Sequence, residues 1–332
     1  ALAKINLGLQ VLPRRNDGFH SIRSLFTTVN LCDRITVSVS DKKNFCGVSC
    51  EGMALPSENT FTKAYKAFCV LTGIDLGVHV SIKKRIPSGG GLGGGSSDAS
   101  SFIQSVNNLF KTGLGIDSLS AIAGKVGSDV FFFTYALSAQ DGKRFSKFEP
   151  FAAVVEGRGE KVRQIQHRSD FSVLLVFPNV GVSTKDAYAL VDETLDLERR
   201  RNKISLEEIY NLPVKNWSFK NDFTVPVSEK YAGIAEALIK LKSCGADFVD
   251  MSGSGSTVFG IFEKKETALK AKVLLEKEFN MFKLVNDKYD FYDPLLAGQF
   301  SEPIYAFIVL DANMEDLGVI IDAMKIITSL VI

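Results

Sequence analysis

The chain has 332 residues, 45% of them hydrophobic and 23% charged. That is an ordinary globular composition, long enough for two domains of about 150 residues each. Thirty-nine Lys and Arg against 38 Asp and Glu leave a net charge of +1. Bulk attraction to nucleic acid or to a membrane surface is thereby excluded, while a local anion site is not. Five cysteines without a C-x-x-C pair, and only three histidines, fit reduced thiols in a cytoplasmic protein and leave little for a zinc site. No apolar run approaches the roughly 18 residues needed to span a bilayer.

Ala3 to Leu12 alternates apolar and polar residues, which predicts a half-buried strand with Lys4 and Asn6 on one face. Pro13 to Gly18 reads as a turn, and extended chain resumes in FHSIRSLFTTV and again over Arg34 to Val39. These segments suggest a mostly antiparallel sheet. Ser57-Glu58-Asn59 precedes a helical pattern from Thr60 to Thr72, and VHVSI (78–82) is the next strand. A glycine run then leads into a helix ending near Phe110, with Ser96 and Ser97 as its cap candidates. Ile116 to about Lys125 is a second helix, before GSDVFFF.

Past residue 165 the pattern becomes strand–helix–strand–strand–helix–strand. Phe171 to Phe177, Phe248 to Met251 and Thr257 to Phe262 are its strands, while Ile304 to Leu310 is a strand of the last forty residues, taken separately. Helices follow PNVGVST, fill much of Leu206 to Ala246 with breaks at Pro213 and Pro226, and run from Lys264 to about Phe279. That order predicts a ferredoxin-like α+β layer. We divide the chain at 1–165 and 166–290. Residues 291–332 are read as an extra strand–helix unit, whose Leu317, Ile320, Ile321, Met324 and Ile327 share one helical face.

Six of the seven residues from Gly89 to Gly95 are glycine. Such a run has a large backbone entropy cost, tolerated where a ligand sits against bare backbone. It feeds directly into a helix start, where unpaired N–H groups and the positive dipole end suit phosphate. The P-loop pattern fails, because Ser96 follows Gly95 where lysine is required. A dinucleotide-binding unit needs a second parallel strand after the helix, and the sequence offers a helix instead.

PSGGGLGGGSSDAS resembles the ATP loop of the GHMP kinases (galactokinase, homoserine kinase, mevalonate kinase and phosphomevalonate kinase). AKINLGL and MSGSGSTVFGIF resemble that family's first and third motifs, in the same order. RRNDGFHSI and the doubled GGG around Leu92 are similar to one branch of it. That branch phosphorylates the 2-hydroxyl of 4-diphosphocytidyl-2-C-methyl-D-erythritol in the non-mevalonate isoprenoid pathway.

The resemblance implies a two-domain GHMP kinase fold: an N-terminal nucleotide-binding α+β domain and a C-terminal ferredoxin-like α+β domain. It implies ATP and Mg2+ as cofactors and a small-molecule cytidyl substrate, in a monomer or weak homodimer. Lys4 and Asp129 match the catalytic pair, Asp129 as base and Lys4 as its charge partner. Pro87, Ser88, Gly89, Gly90, Gly91, Leu92, Gly93, Gly94, Gly95, Ser96 and Ser97 match the ATP loop, with Asn59 and Lys84 near the adenosine. Asn6 matches a substrate contact, Phe19 and His20 a pair that holds cytosine, and Tyr188 an aromatic on the base's other face. Ser252, Gly253 and Ser254 match the substrate-facing third motif.

Phe19 stands where the branch commonly has Tyr, and SDVFFF replaces ADVP, leaving the turn after Asp129 without its proline. No ligand for Mg2+ is fixed by the sequence. Asp98 reads either as a candidate or as an acid complementing a helix dipole. Other readings of the same residues are a kinase for another alcohol, such as homoserine or mevalonate, and a catalytically silent ligand sensor.

Overall fold

The structure, a computed structural model, describes residues 1–139, 150–178, 180–194, 205–278 and 305–311. Leu2–Arg14 (β1) and His20–Cys32 (β2) form a long antiparallel hairpin that sets Lys4 opposite Thr28 and Asn6 opposite Phe26. Ala152–Gly157 (β6) and Lys161–Ile165 (β7) complete this sheet in the order β1-β2-β6-β7. Pro13 and Arg14 lie within β1, so the expected turn begins later, at Arg15.

A second, three-stranded sheet orders Arg34–Ser40 (β3), Gly77–Lys83 (β5) and Cys46–Cys50 (β4) as β3-β5-β4. β4 escaped the sequence reading because its alternation, Cys46, Val48 and Cys50, spans only five residues and places a single strongly apolar side chain. Four helices accompany it: Thr60–Thr72 (α1), Gly94–Leu109 (α2), Ile116–Val126 (α3) and Ser128–Ser138 (α4). Phe61, Phe68, Val80, Ile82, Phe102 and Ile103 form their common core. α1 follows the sequence closely. Asn59 caps its first turn through Oδ1, which accepts from the amides of Phe61 and Thr62.

The second half carries Ser172–Pro178 (β8), Phe248–Met251 (β9), Val258–Phe262 (β10) and Tyr305–Asp311 (β11). Their order is β11-β8-β10-β9, every pairing antiparallel. Numbered along the chain this is 4-1-3-2, the ferredoxin-like arrangement expected. β11 comes from the stretch 291–332 and closes this sheet rather than standing apart from it. The helical face at Leu317 to Ile327 lies outside the described residues.

Thr184–Thr194 (α5), Leu206–Tyr210 (α6), Thr224–Lys230 (α7), Ala232–Ser243 (α8) and Lys265–Glu278 (α9) are the helices of this half. Pro226 was expected to break a helix. It is instead the third residue of α7, where its missing N–H costs no helical hydrogen bond.

The halves share apolar cores. Ile5, Leu7 and Leu25 of the first sheet lie in one buried cluster with Leu175, Trp217 and Phe259. This shared core fixes the two halves against each other, with the glycine loop at the seam.

Candidate active site

Gly93 adopts φ +70° and turns the chain directly into α2. The helix therefore starts at Gly94, and Ser96 and Ser97 are its third and fourth residues rather than its caps. No side chain caps this end. The amides of Gly94, Gly95 and Ser96 thus have no helical acceptor, at the positive end of a helix dipole. That is an anion site of the phosphate-binding kind.

The glycines around it serve two purposes. A Cβ on Gly91 would lie 2.0 Å from the carbonyl oxygen of Ser252, and one on Gly90 would lie 2.6 Å from Thr257 Oγ1. Phe133 and Ile86 crowd Gly93 and Gly94 in the same way. At these four positions the protein itself, not a ligand, needs bare backbone. Gly89 and Gly95 are exposed, and a Cβ on Gly89 would meet nothing within 4 Å.

Lys4 is buried at the centre of the site. Its amide donates to Leu92 O at 3.0 Å. Its Nζ donates to Asn6 Oδ1 at 2.6 Å and to Gly91 O at 2.7 Å. The same nitrogen lies 3.4 Å from Asp129 Oδ2 and 4.8 Å from the centre of the Phe26 ring. Burial disfavours the charged amine and lowers its pKa, and the Asp129 carboxylate opposes that shift. Asp129 is about one-third exposed, 31% for its side chain. It occupies the first turn of α4, where SDVFFF continues as helix and forms no turn after Asp129.

Asn6 is fully buried, and its amide is engaged: Oδ1 accepts from Lys4 and Nδ2 donates to Ser24 Oγ at 3.1 Å. It holds Lys4 in place. Ser252 is also fully buried, and its Oγ donates to Gly91 O at 2.9 Å. The third motif thus braces the ATP loop at Ser252. Gly253 O accepts from Asn221, and Ser254, further along the turn, meets Thr184 at 3.3 Å.

Lys84 lies beneath the start of α2, bonded to Asp33 and, at 2.8 Å, to Asp98. Asp33 also accepts the amides of Arg85 and Ile86. Asp98 is therefore the partner of a lysine, neither a free metal candidate nor a simple dipole acid. Burial, first of all, raises its pKa to about 7. Asn59 spends its side chain on capping α1.

At the other end, His20 Nδ1 donates to Leu12 O at 2.8 Å. Its Nε2 lies 3.2 Å from Asp192 Oδ1 without the alignment of a hydrogen bond. The imidazole stacks on Tyr188, centroids 5.3 Å apart at 25°. The two rings expected to flank a base therefore lie against each other. Burial, and then the charge of Asp129, push Tyr188 up to about 12. Asp129 thus lies close enough to the aromatic end for its charge to act on Tyr188. Phe19 is 54% exposed, with the Arg158 guanidinium 4.0 Å from its ring centre. Asn221, Asp33 and Ser24 carry this geometry but have no sequence signal, because isolated Asn, Asp and Ser are usually turn or cap residues.

Comparison with known proteins decides the family. The GHMP kinase N-terminal domain model matches residues 59–136, and the GHMP kinase C-terminal model matches 203–280. A 4-diphosphocytidyl-2-C-methyl-D-erythritol kinase of Treponema pallidum is 38% identical over 288 residues, covering 84% of this chain and 94% of its own. The chain belongs to the GHMP kinase family. A kinase of the same name from Thermodesulfovibrio yellowstonii is 36% identical, covering 83% of this chain and 93% of its own. A crystal structure of 4-(cytidine 5'-diphospho)-2C-methyl-D-erythritol kinase superposes with a TM-score of 0.69 at 26% identity, covering 94% of this chain and 98% of its own. A homoserine kinase from Cytophaga hutchinsonii shares the fold, with a TM-score of 0.62 at 17% identity, over 94% of this chain and 95% of its own.

This GHMP kinase is an ATP-dependent small-molecule kinase with the two-part α+β fold its motifs implied. Among the described residues no helix is long and apolar enough to cross a membrane.

Proposed function

We propose that this kinase transfers the γ-phosphoryl group of ATP to the 2-hydroxyl of 4-diphosphocytidyl-2-C-methyl-D-erythritol. The observation that carries the reading is the Lys4–Asp129 pair, 3.4 Å apart, beside the uncapped start of α2. Relatives of that name, at 38% and 36% identity, support the choice of alcohol.

Phosphoryl transfer has a loose transition state, so positioning and charge stabilisation do most of the catalysis. The amides of Gly94, Gly95 and Ser96 hold phosphate oxygens. Asp129 accepts the hydroxyl proton as the new P–O bond forms. Lys4, fixed by Asn6 and Gly91, keeps a positive charge beside the transferring group. The His20–Tyr188 stack offers an aromatic face and an imidazole edge to cytosine. The cytosine site needs Phe19 or a small opening of that stack.

Mg2+ binds through substrate phosphates plus one or two protein oxygens. The described residues hold no cluster of three His, Cys, Asp or Glu that would form a dedicated cage. An ion carried by the nucleotide would be held in part by the Ser96 hydroxyl, in the first turn of α2 beside the free amides. When bound, the ion neutralises charge on the β- and γ-phosphates.

ADP release measured with the cytidyl alcohol, homoserine and mevalonate tests the assignment. Turnover confined to the cytidyl alcohol is expected. Turnover with one of the others instead would reassign the substrate. ATP binding without turnover of any alcohol would point to a sensor.

A further inference from the structure

A residue from the linker before α7 joins three parts of the site. The segment 219–222 runs along the free edge of β1. Leu9 N–H donates to Lys220 O at 2.9 Å, Asp222 N–H to Leu9 O at 2.8 Å, and Val11 N–H to the Asp222 carboxylate at 2.7 Å. Asn221, in the middle of this segment, is buried at 4% exposure. Its Nδ2 donates to Met251 O and to Gly253 O, both at 2.7 Å, and its Oδ1 accepts from the Phe223 amide at 3.0 Å. Only this orientation of the amide suits two carbonyls on one side and an N–H on the other. Both donors go to a turn that has Ser252 between the two bonded carbonyls, while the acceptor takes the Phe223 amide.

Ser252 is the next link. Its Oγ reaches Gly91 O at 2.9 Å and Asn6 Oδ1 at 3.4 Å. Those two oxygens are the same ones that hold the Lys4 ammonium, at 2.7 and 2.6 Å. A further strut runs from the Thr257 amide to Gly90 O at 3.2 Å. The backbone of segment 219–222 is thus bonded to the strand bearing Lys4. The side chain of Asn221 is bonded to the turn that presses on the ATP loop.

We infer that Asn221 is a positioning residue for phosphoryl transfer: it fixes the Met251–Gly253 turn so that Ser252 holds Gly91 and Asn6 at the distance that aims Lys4. Asn221 acts through Ser252. No direct contact with ATP or the alcohol is required of it. The inference rests on the proposed kinase reaction for its activity readout. A misplacement near 1 Å at reacting groups costs about a hundredfold in rate, so a loosened turn reads out mainly in kcat.

The experiment is a double-mutant cycle with Asn221→Asp, Ser252→Ala and the pair, on the full chain. Asn221→Asp keeps the acceptor for Phe223 and loses both donors. The expected result is a kcat lower by roughly ten- to a hundredfold, with KM for the cytidyl alcohol within twofold. The variant keeps the bond to the Phe223 amide, and with it the Phe223 ring against Tyr188 at the aromatic end. The double variant should be no slower than Ser252→Ala alone, because Asn221 acts through that side chain. Additive losses, or a kcat within twofold of wild type, overturn the inference. If Asn221→Asp does not fold, Ser252→Ala alone decides by the same split of kcat from KM.

Hydrogen exchange supplies a readout free of activity. The Lys4 amide, bonded to Leu92 O, and the Thr257 amide should exchange about tenfold faster in Asn221→Asp. The Gly73 amide at the end of α1, bonded to Cys69 O, should be unchanged. Uniform acceleration everywhere means general destabilisation and overturns the inference. A wild-type enzyme inert toward the cytidyl alcohol counts against the proposed reaction alone, and the exchange pattern still decides for or against Asn221.

Discussion

The two ends of the cleft are built differently. At the phosphate end Lys4, Asn6 and Ser252 are buried and share hydrogen bonds with the backbone of the ATP loop. At the aromatic end one hydrogen bond, from His20 to Leu12 O, and the packing of Tyr188 on His20 and Phe223 hold the rings, and Phe19 is half exposed. Reacting groups tolerate little displacement, whereas stacking on a base is tolerant of small shifts. In the proposed reaction the rigid end would set the rate and the softer end which alcohol binds.

The largest effect that could break this contrast is at Asp129. Asp129→Asn should keep ATP binding and lower kcat by roughly 10²–10⁴-fold, as measured by ADP release. Near-normal turnover would remove Asp129 from the chemistry. Lys4 adds a pH signature. Burial lowers its pKa from the ordinary 10.5, so the proton is lost as pH rises through a value below that. The alkaline fall in kcat should accordingly begin below the range of a free lysine.

At the aromatic end, His20→Ala should weaken the cytidyl alcohol by about 1–3 kcal/mol, the range for one stacked base, and leave the KM for ATP unchanged. Equal loss of both affinities would mean that the two ends are not separable.

Two glycines sharpen the comparison within the loop. Gly91→Ala would place a Cβ against the Ser252 carbonyl, whereas Gly89→Ala meets only the left-handed backbone cost, about 1–2 kcal/mol. Thermal melts should show the larger drop for Gly91→Ala. Equal drops would sever the link between loop and third motif.

A last effect, read in stability and not in turnover, concerns Asp98. Its carboxyl titrates near 7 in the folded chain, against 3.8 as its ordinary value. The folded state therefore holds the proton more tightly, and stability falls as pH rises from about 4 to about 7. Urea midpoints across that window should be flatter for Asp98→Asn. A wild-type slope retained in the variant would assign the titration to another group.

Much of the fold was legible, because its cues are local. Thr60–Thr72 has its Asn59 cap and helical spacing in one short window, and the structure has the same bounds. The strand–helix order of the second half likewise announced a ferredoxin-like layer, but the late strand, set apart in the unit 291–332, proved to be its β11. The start of α2 was misread because serine is a common cap. Gly93 took that place through its left-handed backbone.

The sequence by itself determined the periodic elements and the run of glycines entering a helix, because hydrophobic spacing and backbone freedom act over a few residues. It also set Lys4 and Asn6 on one strand face, since side chains alternate along any strand. Only the tertiary structure decided that Gly90 and Gly91 yield room to Ser252 and Thr257, that Lys84 lies between Asp33 and Asp98, and that Asn221 reaches the third motif. Those contacts join distant residues, Gly91 and Ser252 being 161 positions apart. They exist because two apolar sheets bury against each other, and no local pattern encodes which polar groups then meet at the seam.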